Sequence, residues 1–171
     1  MSTSVTYTDR KDALLAALGG GAQGFGLTKD TSNLFRDRAP QPRPKIDLKG
    51  FNHVIAVDAR AGVVDAEGMV RYVDLAEATL ARGVMPAVVP QLKSITLGGA
   101  VAGVGIEATS FRHGLVHDTI VALEVLTGHG RIIVCTPENE HRDLFFGFPN
   151  SYGTLGYALK VTARTLPVKP F

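Results

Sequence analysis

The chain has 171 residues, of which 45% are hydrophobic, and a formal net charge of +2 with its five histidines neutral. That length and composition allow a buried core and exclude wholesale disorder, and so mild a charge without a Lys/Arg block excludes an electrostatic binder of nucleic acid. The one cysteine, Cys135, excludes an internal disulfide and suits a reducing compartment.

The polar start MSTSVTYTDRKD lacks the apolar stretch of a signal peptide, and no apolar run reaches the ~20 residues of a membrane span. A soluble, cytoplasmic protein is expected, with peripheral attachment to a membrane left open. Residues 9–18 (DRKDALLAAL) predict a short helix with Leu14, Leu15 and Leu18 on one face, stopped by the glycine run from Gly19. Gly19, Gly21 and Gly24 match G-x-G-x-x-G in letters only, because the dinucleotide fingerprint needs a strand before it and a helix after. Residues 25–28 predict a strand and 29–35 a polar turn. Residues 36–45 carry Pro40, Pro42 and Pro44, which exclude regular structure.

Short strands follow at 46–48 and 53–59, the second with Val54, Ala56 and Asp58 on one side. A turn at 60–62 leads into a hairpin partner at 63–66. Residues 72–81 predict an amphipathic helix burying Leu75, Ala76, Thr79 and Leu80, capped by Gly83. A buried strand then runs from 84 to 89 into Pro90. In the C-terminal part, 119–126 and 131–135 read as strands joined by the turn Thr127-Gly128-His129-Gly130. A short helix at 139–146 and a glycine-bearing turn at 151–156 precede a last strand at 157–166, with Tyr157, Leu159, Val161 and Ala163 on one side. Strand pairs with short helices between them predict an α+β fold in two lobes, one before Pro90 and one after Asp118.

The stretch 86–117 joins these halves and leaves the main chain bare at Gly98, Gly99, Gly103 and Gly105. Residues 97–102 predict a small-residue helix with hydroxyls from Ser94 and Thr96 at its start, where main-chain N–H groups and the helix dipole favour an anion. Composition leaves two readings level: a ligand lies against the bare backbone, or two protein segments pack closely.

The order VPQLKSITLGGAVAGVGIEATS (89–110), then Gly114-Leu115, LEVLTGHG (123–130), Asp143-Leu144-Phe145 and Gly153-Thr154-Leu155-Gly156, resembles the FAD segment of the vanillyl-alcohol-oxidase/p-cresol-methylhydroxylase superfamily. Within it, the 24-dehydrocholesterol reductase (Diminuto-like) branch is the nearest match. The resemblance is dense from about 83 to 171, thinner from 29 to 83, and absent before 29. It implies an FAD-binding PCMH-type domain over 29–171, with lobes at about 29–90 and 118–171 and the cofactor between them, preceded by a helix and connection at 1–28. Pro90, Gln91, Leu92, Ser94, Thr96, Leu97, Gly98 and Gly99 would contact the flavin end and the pyrophosphate. Gly103, Gly105, Ile106, Glu107, Ser110, Gly114 and His117 would continue along the cofactor. Gly153, Thr154 and Gly156 would approach from the second lobe. Lys29, Thr31, Ser32 and Asn33 stand where relatives carry a first phosphate loop richer in Gly and Arg, and their side chains can still donate to phosphate.

Some relatives attach flavin through a histidine, but the context of His113 (SFRHG) differs, so non-covalent FAD is expected. The chain stops where the family's substrate cap would begin, so that domain and its catalytic residues are expected to be absent. The activity implied is hydride exchange between FAD and a C–H or C=C centre of a small-molecule substrate, such as a sterol-like or lipidic alkene, within a longer protein. A sugar or aldonolactone alcohol oxidase is the alternative among enzymes. A truncated module that binds FAD or a partner without turnover is the alternative outside them.

Rival constellations are weaker. His113 and His117 are four apart, but Gly114 between them argues against a helical metal pair, and no third ligand has the spacing. His117 with Asp118 reads more readily as a cap than as a charge-coupled pair near flavin. Glu107 is evenly divided between a ribose contact and a turn residue. Cys135 reads as inert core, and Ser151 lacks the G-x-S-x-G frame of a hydrolase.

Overall fold

The computed structural model describes residues 5–19, 24–28 and 44–169. Its first helix, α1 (Tyr7–Leu18), begins two residues before the predicted start. Thr6 supplies the reason: its Oγ1 accepts from Asp9 N at 3.2 Å, while Asp9 Oδ2 accepts from Thr6 N at 2.8 Å. This reciprocal capping box satisfies two amides that the helix cannot. Gly19, in a left-handed conformation (φ 57), ends the helix as expected. Leu14 is buried, but Leu15 is exposed, so the apolar face is narrower than predicted.

Two short parallel strands follow, β1 (Gly26–Thr28) and β2 (Lys45–Asp47). The main sheet is antiparallel and holds six strands: β3 (Val54–Asp58), β4 (Val63–Glu67), β5 (Val84–Pro86), β6 (Ile120–Leu126), β7 (Ile132–Cys135) and β8 (Tyr157–Pro167). Its order is β3-β4-β8-β6-β7, and β5 pairs with the far end of β8. The sheet runs straight across the lobe division expected from sequence, because β8 hydrogen-bonds to β4 and β5 on the one hand and to β6 on the other.

Two clusters of side chains form the core. Val125 and Leu126 are neighbours in β6 yet fall into different clusters, so the clusters occupy opposite faces of the sheet. One face is covered by α2 (Tyr72–Leu80), α3 (Leu97–Ala102) and α4 (Arg142–Gly147). The other carries Leu14 of α1, Leu27 of β1 and Ile46 of β2 over Phe51, Leu126 and Leu159.

Bulges account for the misjudged sides. In β8, Ala158 pairs with Val125 and Lys160 with Glu124, which leaves Leu159 as an extra residue. Leu159 and Tyr157 therefore face one cluster, whereas Val161 and Ala163 face the other. The register shift between Val54 and Ala56 likewise turns Val54 and Val57 inward together. Leu80, predicted buried, is 49% exposed: the stripe Tyr72, Leu75, Thr79 is the one that meets the core.

Candidate cofactor-binding site

The helix α3 spans the residues that the sequence predicts. Thr96 is its N-cap, and Thr96 Oγ1 accepts from Gly99 N at 3.2 Å. The helix start differs from expectation in its donors. Leu97 N donates to Val70 O and Gly98 N to Gly68 O, both at 2.8 Å, and Gly99 N is held by its own cap. All three amides are satisfied by the protein, so they do not form an open anion cradle. The bareness of Gly98 serves close packing: a methyl there would stand 2.9 Å from Gly68 O and 3.3 Å from the Ala158 methyl. At Gly105 a methyl would meet Val116 Cγ2 at 2.9 Å, and at Gly156 it would meet Leu126 O at 2.4 Å. The close-packing reading thus holds at these three positions, while Gly99 lies exposed on the surface.

The residues before α3 form a surface loop. Gln91, Leu92 and Ser94 are exposed, whereas Pro90, Thr96 and Leu97 are buried, Leu97 with its side chain in the core. Glu107 ties this loop to the chain beyond the helix, accepting from Gln91 N at 3.0 Å through Oε2. Glu107 N in turn donates to Ser110 Oγ at 3.0 Å, and Thr109 Oγ1 donates to Ala87 O at 3.0 Å. Glu107 is therefore a loop-closing residue in this structure. Burial, with the Glu107 charge nearby, pushes the Tyr72 hydroxyl well above its ordinary pKa.

A second junction follows α3. Tyr152 N donates to Ala102 O at 3.2 Å, and its hydroxyl to Gly103 O at 3.4 Å, which brings residues 151–156 against 102–103. Val104, Asn150 and Tyr152 all have left-handed backbones (φ 56, 61 and 49). For non-glycine residues, and above all for β-branched Val104, that is strain of the kind that gathers at ligand clamps. Ser151 Oγ is buried there without a hydrogen-bond partner, and the surface nearby keeps Ile106 at 72% and Leu155 at 43% exposure. Strained loops, an orphaned hydroxyl and exposed apolar side chains suit a bound group better than an idle surface. Thr154 is exposed and Gly153 half-buried on the same turn.

Gly114 and His117 lie beyond. Val116 N donates to Gly105 O at 2.9 Å, which docks the 3-10 turn Val116–Thr119 beside α3. Asp118 Oδ2 accepts from Leu115 N at 2.7 Å and so caps that turn, and His117 Nε2 stands 3.6 Å from Asp118 Oδ1. Lys29, Thr31, Ser32 and Asn33 lie outside the described residues. Among the described residues, no three His, Cys, Asp or Glu side chains come together as metal ligands. Sequence reasoning missed Ser151 as part of the junction, and it missed Glu67 and Gly68 altogether. The signal available was a carboxylate, Glu67, followed directly by a glycine where the strand pattern VVDAEG ends.

Residues 27–136, well over half of the chain, match the model of the FAD binding domain family. The chain belongs to that family. It is 32% identical over 127 residues to Delta(24)-sterol reductase of Pisum sativum, which covers 74% of this chain and 22% of the relative. It is 32% identical over 118 residues to the Homo sapiens Delta(24)-sterol reductase (69% and 23%), and 33% identical over 116 residues to cytokinin dehydrogenase 1 of Oryza sativa subsp. japonica (68% and 21%). The chain spans roughly a fifth of the length of these curated relatives. Its fold is similar to that of 6-hydroxy-D-nicotine oxidase from Arthrobacter nicotinovorans, with a TM-score of 0.74 at 18% identity over 95% of this chain and 35% of that one. The FAD-binding domain is thus mixed α+β, as expected, with the fold of a flavoprotein oxidase. Among the described residues, no helix is long and apolar enough to cross a membrane.

Proposed function

We propose that this FAD-binding domain holds FAD non-covalently along the surface made by the 91–99 loop and helix start, the 103–110 segment and the 151–156 turn. The observation that carries the reading is the strained junction of residues 102–104, within the family match, with residues 150–152 beyond it, where Ser151 Oγ lacks a partner. The groups that face solvent along this surface are the side chains of Gln91, Leu92, Ser94, Ile106 and Thr154 and the uncovered main chain at Gly99, whose own amide is taken by Thr96. Gly98, Leu97 and Thr96 act one layer below, by fixing the backbone that carries Gly99. Lys29, Thr31, Ser32 and Asn33 are proposed as phosphate donors on chemistry alone.

FAD supplies hydride transfer when bound. The domain's share is to bind and orient it. We place the chain in a flavin-dependent oxidoreductase that exchanges a hydride with a C–H or C=C centre of a small molecule, with a lipidic alkene first among candidates because Delta(24)-sterol reductases are among the relatives. A cytoplasmic setting, with peripheral membrane contact, is part of the same proposal.

The test is to purify the chain, titrate it with FAD and follow flavin fluorescence and visible absorbance. Saturable binding, with the flavin released by acid precipitation, is expected. Flavin that stays with the precipitate would overturn the non-covalent assignment, and no binding would overturn the whole reading. In the complete protein, anaerobic bleaching of the flavin by a reductant and its reoxidation by a sterol side-chain alkene tests the substrate class. Binding without any such turnover would leave an FAD-holding module.

A further inference from the structure

Glu67 is completely buried at the end of β4, and its carboxylate ties that strand to α1 and to the segment leading into β3. Oε1 accepts from Arg10 Nε of α1 at 3.0 Å and also from Arg10 Nη2. Oε2 accepts from His53 N at 2.8 Å and stands 2.9 Å from His53 Nδ1, while Glu67 N donates to His53 O at 2.9 Å. A buried carboxylate with this many donors has one tolerable position, because leaving any of them unpaired is costly. The next residue, Gly68, is wedged between β8 and α3. Gly68 N donates to Leu159 O and Gly68 O accepts from Gly98 N, each at 2.8 Å.

We propose that Glu67, held by Arg10, is a positioning residue for the FAD site: it fixes the exit of β4, so that Gly68 stands where α3 begins and Gly99 is presented to the cofactor. The chain of contacts is continuous: Arg10 to Glu67, Glu67 through its own peptide to Gly68, and Gly68 to Gly98. It makes α1, which lies outside the family match, a working part of the cofactor site. The inference rests on the FAD reading above and adds residues to it.

The experiment compares wild type, Glu67→Gln, Arg10→Met and Arg10→Lys in the whole chain. It measures the FAD dissociation constant, the visible circular dichroism of bound flavin and the melting temperature. Gly83→Ala serves as a control for stability alone, since a methyl at Gly83 meets nothing within 4 Å. Glu67→Gln and Arg10→Met should weaken FAD binding about tenfold, the scale of couplings carried through packed contacts, and change the flavin dichroism. Arg10→Lys should recover most of the affinity and the wild-type dichroism, and Gly83→Ala should leave both unchanged. If Glu67→Gln does not fold, the two Arg10 variants decide. Wild-type affinity and dichroism in Arg10→Met would overturn the inference while leaving the FAD reading intact. No FAD binding by wild type would overturn both.

Discussion

Replacing Gly68 by alanine tests the packing on which the site stands. The backbone angle at Gly68 is not the difficulty; space is. A methyl there would lie 1.9 Å from Ala158 O and 2.8 Å from Ala158 C, both main-chain atoms of the central strand. Neither can rotate away, so β4 and β8 must separate, or α3 must lift from its seat. Overpacking of this kind costs about 1–3 kcal/mol. The hydrogen bonds Gly68 N to Leu159 O and Gly98 N to Gly68 O are strained by the same movement, for about 0.5–1.5 kcal/mol each. The sum is roughly 2–6 kcal/mol, or, at about 3 °C per kcal/mol for a chain of this size, a fall in melting temperature of about 6–18 °C. Gly83→Ala is the matched control: its φ of 73 penalises a side chain, but nothing crowds it, so about 1–2 kcal/mol and a fall of roughly 3–6 °C are expected. Thermal melts followed by far-ultraviolet circular dichroism give both numbers. A Gly68→Ala melt no lower than that of Gly83→Ala would refute the steric reasoning and the seat proposed for α3.

Tyr7→Phe removes the hydroxyl that donates to Glu124 Oε2 at 2.9 Å; loss of a bond to a charged, buried acceptor should lower stability by about 1.5–3 kcal/mol in urea unfolding, and an unchanged midpoint would count against the docking of α1. Burial raises the Glu124 pKa, but hydrogen bonds from Lys160 and Tyr7 and the charges of Lys160 and Lys11 outweigh it and hold the carboxyl below its usual range. Its contribution is therefore present above the ordinary carboxylate range and lost as pH falls, so Glu124→Gln should flatten the acid limb of the stability profile; an identical acid limb in both proteins would contradict this. Burial pushes the Cys135 thiol up to about 11. Native protein at pH 8 should resist iodoacetamide until denatured, and the thiol's contribution to stability should fade only as pH rises past its ordinary value toward 11; rapid labelling of the folded chain would show the site to be open.

Much of this protein is legible without coordinates, where the information is local. Thr96 before Leu97-Gly98-Gly99 marks a cap and a helix start in four letters, and α3 forms over the predicted residues. The turns at Gly19 and Gly83 and the strands either side of Thr127-Gly128-His129-Gly130 are set by backbone preferences of single residues. The ordered motifs from Val89 to Gly156 likewise carry the family, since they record which residues occur in which order. What the glycines touch is a different kind of fact. Gly98 faces Gly68, which is 30 positions away, and Gly68 faces Ala158, another 90 positions on, as the sheet brings β4 and β8 side by side. The single extra residue Leu159 divides β8 between two cores, a matter of pairing register that no window of sequence contains. Glu67 stands one residue beyond the strand predicted at 63–66, and nothing beside it in the sequence marks it as buried until α1 folds across it and supplies Arg10. Propensity and capping are decided within a turn or two of the chain, whereas close approach, burial of charge and register depend on which distant segments share a surface; those the tertiary structure alone decided.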